Sequence, residues 1–79
     1  MSLLDQLSNT NILVLKTFAD CAMRVQPTAK KTFFSRNAVC YNLLVIYKKT
    51  HLNPRDFWDL CKLMQMLKEE EEDAENRGS

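Results

Sequence analysis

Apolar side chains recur at helical spacing near the start of the chain. Ile12, Leu15, Phe18, Ala19, Ala22 and Met23 share one face when each residue advances by about 100°, and Lys16, Asp20 and Arg24 share the opposite one. The pattern predicts an amphipathic helix from about Asn11 to Val25, with Ser8, Asn9 and Thr10 as N-cap candidates. Lys16, Asp20 and Arg24 are four residues apart, where opposite charges support a helix by about 0.2–0.5 kcal/mol per pair. A short helical turn from Ser2 to Leu7 is expected ahead of it.

Gln26-Pro27-Thr28 is expected to end this helix, because the residue before a proline is pushed out of helical geometry. Thr28 to Phe34 fits a short linking helix or a loop, and Ser35 is placed to cap a helix from Arg36 to about Lys49. Lys48, Lys49 and His51 then sit at its C-terminus, where positive charge complements the helix dipole. Asn53-Pro54-Arg55-Asp56 reads as a helix start, with asparagine at the N-cap, proline at the first helical position and an acid in the first turn. The last helix is predicted from Pro54 to about Glu70. The one glycine, Gly78, and two prolines leave too few turn residues for strands. The expected fold is therefore all-α: a small bundle of three main helices with a short extra N-terminal or linking helix, forming a single domain over residues 1–70, followed by an acidic disordered tail over 71–79.

Two of these helices carry more apolar surface than one face can hold. From Val39 to Tyr47 only Asn42 interrupts the apolar run. Val39, Leu43, Ile46 and Tyr47 form one stripe, whereas Tyr41, Leu44 and Val45 project to the other side, and a helix apolar all round must be surrounded. In the last helix Phe57, Leu60, Cys61, Met64 and Leu67 align while Trp58, Leu63 and Met66 point elsewhere. Fully burying a Leu or Met contributes about 1.5–3 kcal/mol, a large share of the stability of so small a domain. Tyr41, Leu44, Val45, Trp58, Leu63 and Met66 are thus the candidate protein-binding residues, and a dimer or another bound protein the expected means of covering them. The competing explanation is that single exposed apolar residues are ordinary and that Trp58 covers the end of the core.

Charge adds a polarity that the net value of +1 conceals. Between Pro27 and Arg55 stand Lys30, Lys31, Arg36, Lys48, Lys49 and Arg55 with no acid, whereas Asp56 to Ser79 carries eight acids against three bases. Such a separation bears on partners rather than on fold. The start of the chain lacks a basic region followed by an apolar run, and no stretch approaches membrane-spanning length, so a soluble cytoplasmic protein is expected. Three scattered cysteines, an odd number, agree with a reducing compartment and with three small buried apolar residues.

The chain offers little for chemistry. His51, the one histidine, is far in sequence from every cysteine, and a nucleophile needs a base within hydrogen-bond reach. A zinc site of Cys21, Cys40, His51 and Cys61 lacks the close ligand pairs that make such sites specific, and no glycine-rich phosphate cradle can be built. No catalytic residue, metal, cofactor or small-molecule substrate is expected.

Binding remains, in two versions. The first is a small regulatory protein of the inhibitor, adaptor or anti-activator type, using the apolar surface of its last two helices. The second is a nucleic-acid binder in which the six bases from Lys30 to Arg55 contact phosphates. Phe33-Phe34-Ser35-Arg36-Asn37-Ala38-Val39 and Leu43 resemble the start of a recognition helix in helix-turn-helix proteins, which implies groove contacts from the first turns of that helix. The glycine-containing turn common in that motif is absent, and Cys40, Tyr41 and Leu44 depart from a groove-facing surface.

Overall fold

The structure is a computed structural model that describes the backbone of residues 3–77 and the side chains of residues 5–70. A 3₁₀ turn (Leu3–Gln6) precedes four helices, α1 (Asn9–Asp20), α2 (Val25–Thr32), α3 (Arg36–Thr50) and α4 (Phe57–Arg77). The described residues contain no strand, and the chain is all-helical. α1, α2 and α3 pack against one another, and the 3₁₀ turn rests on α3, where the Lys49 ammonium donates to the Gln6 carbonyl at 2.9 Å.

Ser8 caps α1 reciprocally. Its hydroxyl accepts from the Asn11 amide at 3.1 Å and its own amide donates to Asn11 Oδ1 at 3.0 Å, so two of the amides left over at a helix start are satisfied at once. The helix then ends at Asp20, well before the expected Val25. The Met23 amide donates back to the Phe18 carbonyl and the Ala22 amide to that of Ala19, with Ala22 at φ 54° and Met23 at φ 63°. This is a Schellman closure, with Phe18 in the core and Met23 partly buried against it. Arg24 is thereby removed from the polar stripe of α1.

Pro27 belongs to the start of α2 and does not end α1. It stands in the first helical turn, where its missing N–H has no intrahelical acceptor in any case. α2 closes as α1 does, with the Phe34 amide donating to the Ala29 carbonyl, the Phe33 amide to that of Lys30, and Phe33 at φ 61°. α3 begins as expected at Ser35, whose hydroxyl accepts from the Ala38 amide at 3.1 Å. It ends on His51 at φ 60°, whose amide donates to the Tyr47 carbonyl. With glycine absent until Gly78, all three closures place a side chain in the left-handed region, at about 1–2 kcal/mol each.

The start of the last helix also differs from expectation. Asn53 opens an Asx turn, its side chain accepting from the Arg55 amide at 3.0 Å and its carbonyl from the Asp56 amide at 2.9 Å. Such local bonding competes with helix initiation, and Pro54 is fully buried beneath the turn. Asp56 does the capping instead, accepting from the Asp59 amide at 3.1 Å, while the Asp59 carboxylate accepts from the Asn53 amide at 3.0 Å and closes the turn. α4 therefore starts at Phe57. It continues to Arg77, so residues expected to form a tail after Glu70 are helical in backbone, in keeping with the helix propensity of Glu and Ala. Gly78 and Ser79 lie outside the described residues.

The core consists of Leu7, Val14, Leu15, Phe18, Ala29, Val39, Leu43, Ile46, Leu60, Leu63 and Leu67. Set among these is a buried polar chain. Asn11 Nδ2 donates to Asn42 Oδ1 at 2.6 Å, and Asn42 Nδ2 donates to the Ala38 carbonyl at 2.8 Å. No buried side-chain nitrogen or oxygen among the described residues is left without a partner.

The left-handed helix ends allow a direct test. Ala22 and His51 are exposed, so Ala22→Gly or His51→Gly removes little packing and relieves the steric cost, partly offset by the greater entropy of an unfolded glycine. Each is expected to raise stability by about 1 kcal/mol in urea denaturation, and an unchanged or lowered midpoint would contradict these closures.

Candidate functional site

The six residues expected to form an apolar contact surface fall into three groups. Tyr41 (66% exposed), Leu44 (48%) and Trp58 (73%) face outward. Val45 and Met66 are half-buried, Met66 against the core. Leu63 is a core residue, completely buried, so its assignment to a second surface is corrected. α4 turns Leu60, Leu63 and Leu67 inward at i, i+3 and i+7 spacing, whereas Phe57 and Cys61, assigned to the core stripe, lie exposed. Ala22, likewise assigned inward, lies exposed beyond the end of α1.

On α3 the sequence pattern missed Tyr47, which is 47% exposed and was placed in the inward stripe. It lines a hollow of about 360 Å³ with Cys40, Leu43, Leu44, Asn53 and Arg55. The Arg55 guanidinium crosses from the Asx turn to donate to Cys40 Sγ at 3.1 Å, so a cation borders an otherwise apolar surface. The signal for Tyr47 was its spacing, three residues after Leu44 and six after Tyr41.

A second apolar groove, of about 480 Å³, runs between the end of α1 and the start of α4, with Ala19, Met23, Phe57, Leu60, Cys61 and Met64 among its walls. The small side chains of Ala19 and Ala22 leave the space that the larger ones border. At its edge Phe57 meets Trp58 edge to face, with ring centroids 5.2 Å apart and planes at 78°, a favourable aromatic arrangement.

The six cations of the nucleic-acid reading, Lys30, Lys31, Arg36, Lys48, Lys49 and Arg55, are all exposed but do not form one site. Lys48 and Lys49 lie at the far end of α3, and Arg55 is engaged with Cys40. Lys30 and Arg36 do come together, and Arg24, which was outside that set, joins them in a hollow of about 510 Å³ lined also by Gln26 and Pro27. The sequence could not place Arg24 there, because its position depends on the early end of α1. Phe33, the first residue of the segment that resembles a recognition-helix start, is 95% exposed at the adjoining corner.

Of the three cysteines expected to be buried, only Cys21 is. Cys40 is half-buried and Cys61 exposed, and all three are free thiols. No group of three His, Cys, Asp or Glu side chains among the described residues is placed to hold a metal ion, and no described helix is long and apolar enough to cross a membrane. Comparison with protein-family models, with curated proteins and with solved structures gives no match.

Thiol reactivity reports this geometry. Under native conditions Cys61 is expected to react first with an aromatic disulfide reagent, Cys40 more slowly, and Cys21 only on unfolding. Peptide mapping of the labelled chain checks the order, and early labelling of Cys21 would contradict it.

Proposed function

We propose that this chain is a non-enzymatic regulatory protein, of the inhibitor, adaptor or anti-activator type, that works in the cytoplasm by binding another protein. A second copy of itself is included among the partners, which makes the active form a homo-oligomer. The supporting observation is the outward face of α3. Tyr41, Leu44 and Tyr47 stand exposed on a helix whose opposite side, through Val39, Leu43 and Ile46, is already fully used in the core. Burial of α3 on its inner side is complete, and on its outer side about half or more of each of Tyr41, Leu44 and Tyr47 is left exposed in the monomer.

Their types suit a contact surface. Tyrosine provides a large rigid area with few rotatable bonds and a hydroxyl that tolerates water, and for these reasons is enriched where binding energy concentrates. Leu44 sits between the two rings in sequence, and Arg55, already oriented by Cys40, supplies a charged rim. Three free cysteines fit a compartment that keeps thiols reduced.

Sedimentation equilibrium and in-cell photo-crosslinking test this reading together. The wild type is expected to self-associate at micromolar concentration or, with a photoreactive residue at Leu44, to crosslink to a discrete protein. Leu44→Glu should abolish either contact and lower the unfolding free energy from urea denaturation by no more than about 1 kcal/mol, as for a half-exposed position. A chain that stays monomeric and yields no crosslink, or a Leu44→Glu variant that associates as the wild type does, contradicts the proposal.

A further inference from the structure

The corner between α2 and α3 has properties that a protein-binding face on α3 does not use. Its hollow of about 510 Å³, lined by Arg24, Lys30 and Arg36, continues into a second of about 490 Å³ that shares Gln26, Lys30 and Arg36 and is walled by Phe33 and Phe34. Between Asp20 and Asp56 the chain has no acid, so the segment that carries these cations supplies no counter-charge of its own. Arg24, Lys30 and Arg36 are all exposed, and their charge is available to a ligand.

Phe33 is the second, independent observation. It occupies the left-handed position of the α2 closure, where glycine is the residue without steric cost, and it is 95% exposed. The side chain therefore gains almost nothing from packing while imposing strain on the backbone. Ala22 and His51 bear the same backbone strain, so what sets Phe33 apart is a large aromatic ring left almost wholly in solvent. What the corner offers is a flat apolar ring next to a cationic trough.

We infer that this corner binds single-stranded nucleic acid, with Arg24, Lys30 and Arg36 on successive phosphates and one base stacked on Phe33. Cations that follow a backbone, together with an aromatic that takes a base face, make up the general design of single-strand binding. A duplex fits less well, since its bases present no free face to Phe33, and a helix laid in the major groove would bring Cys40, Tyr41 and Leu44 against base edges after only Arg36 and Asn37. An acidic peptide would satisfy the charges and leave the ring without a partner.

Fluorescence anisotropy of the full chain with a labelled oligothymidylate of about twelve nucleotides tests the inference, beside a duplex of the same length and a polyglutamate competitor. The single strand should bind in the micromolar range, weakening by about tenfold to twentyfold between about 50 and 200 mM salt if three phosphates are neutralised. Phe33→Gly is expected to raise the unfolding midpoint yet weaken binding by about fivefold or more. Phe33→Leu, which keeps an apolar side chain without the flat ring, should weaken it likewise. Lys30→Gln with Arg36→Gln should reduce both the affinity and the salt dependence. The inference is overturned if no anisotropy change appears up to about 100 µM protein at low salt, if the duplex binds more tightly than the single strand, if polyglutamate competes equally well, or if the Phe33 variants bind as the wild type does. Leu44→Glu should leave this binding intact, which separates its failure from failure of the protein-binding reading.

Discussion

The hydrogen bond between Asn11 and Asn42 fixes the orientation on which the surface of this protein depends. Both amides are buried among aliphatic side chains, and each is satisfied through one chain of contacts: the Ser8 amide to Asn11, Asn11 to Asn42, and Asn42 to the Ala38 carbonyl. Turning α3 by one residue would break that chain and strand buried polar groups, each at about 1–3 kcal/mol. Apolar contacts alone could not make the choice, since α3 is apolar on nearly every side. With Asn42 held inward, Val39, Leu43 and Ile46 must enter the core, and Tyr41, Leu44 and Tyr47 must face out. A polar pair thus decides which apolar residues are left at the surface.

Near-absence of glycine is the second constraint. Three helices end in left-handed closures made by Ala22, Phe33 and His51, and each reverses the chain within a few residues. The first brings Arg24 round to face Lys30 and Arg36, and the second sets Phe33 beside them. The cationic corner is therefore a product of how α1 and α2 terminate rather than of any local sequence motif. One helix, α3, serves both regions: its first turn borders the corner and its middle carries the tyrosines.

The helical class was legible in the amino-acid pattern, as were the caps at Ser8 and Ser35, because periodicity and capping chemistry are local. Three features were not. The early stop of α1 rests on two left-handed non-glycine residues, for which Ala22 and Met23 give no sequence warning. The Asn53-Pro54 segment serves equally well as a helix start or an Asx turn, and the Asp59 carboxylate bonding back to the Asn53 amide, a contact across six residues, goes with the turn. The rotation of α3 hinges on a contact spanning 31 positions, so Asn42 looked like an interruption of the apolar run although it is the residue that orients it. From that follow the correct expectation of exposed Tyr41 and Leu44 and the wrong placement of Tyr47. Leu63 was misplaced by the same kind of ambiguity in α4, where two apolar stripes competed and the sequence favoured the one containing Phe57 and Cys61.

Hydroxyl-radical footprinting of the dilute wild-type chain, read residue by residue by mass spectrometry, tests most directly whether α3 is turned as described. Rapid modification of Tyr41, Leu44 and Tyr47, with Val39, Leu43 and Ile46 protected until unfolding, is the predicted result. Protection of Tyr41 and Leu44 together with modification of Leu43 and Ile46 would mean that the helix presents its other side, and the account would be wrong at its foundation.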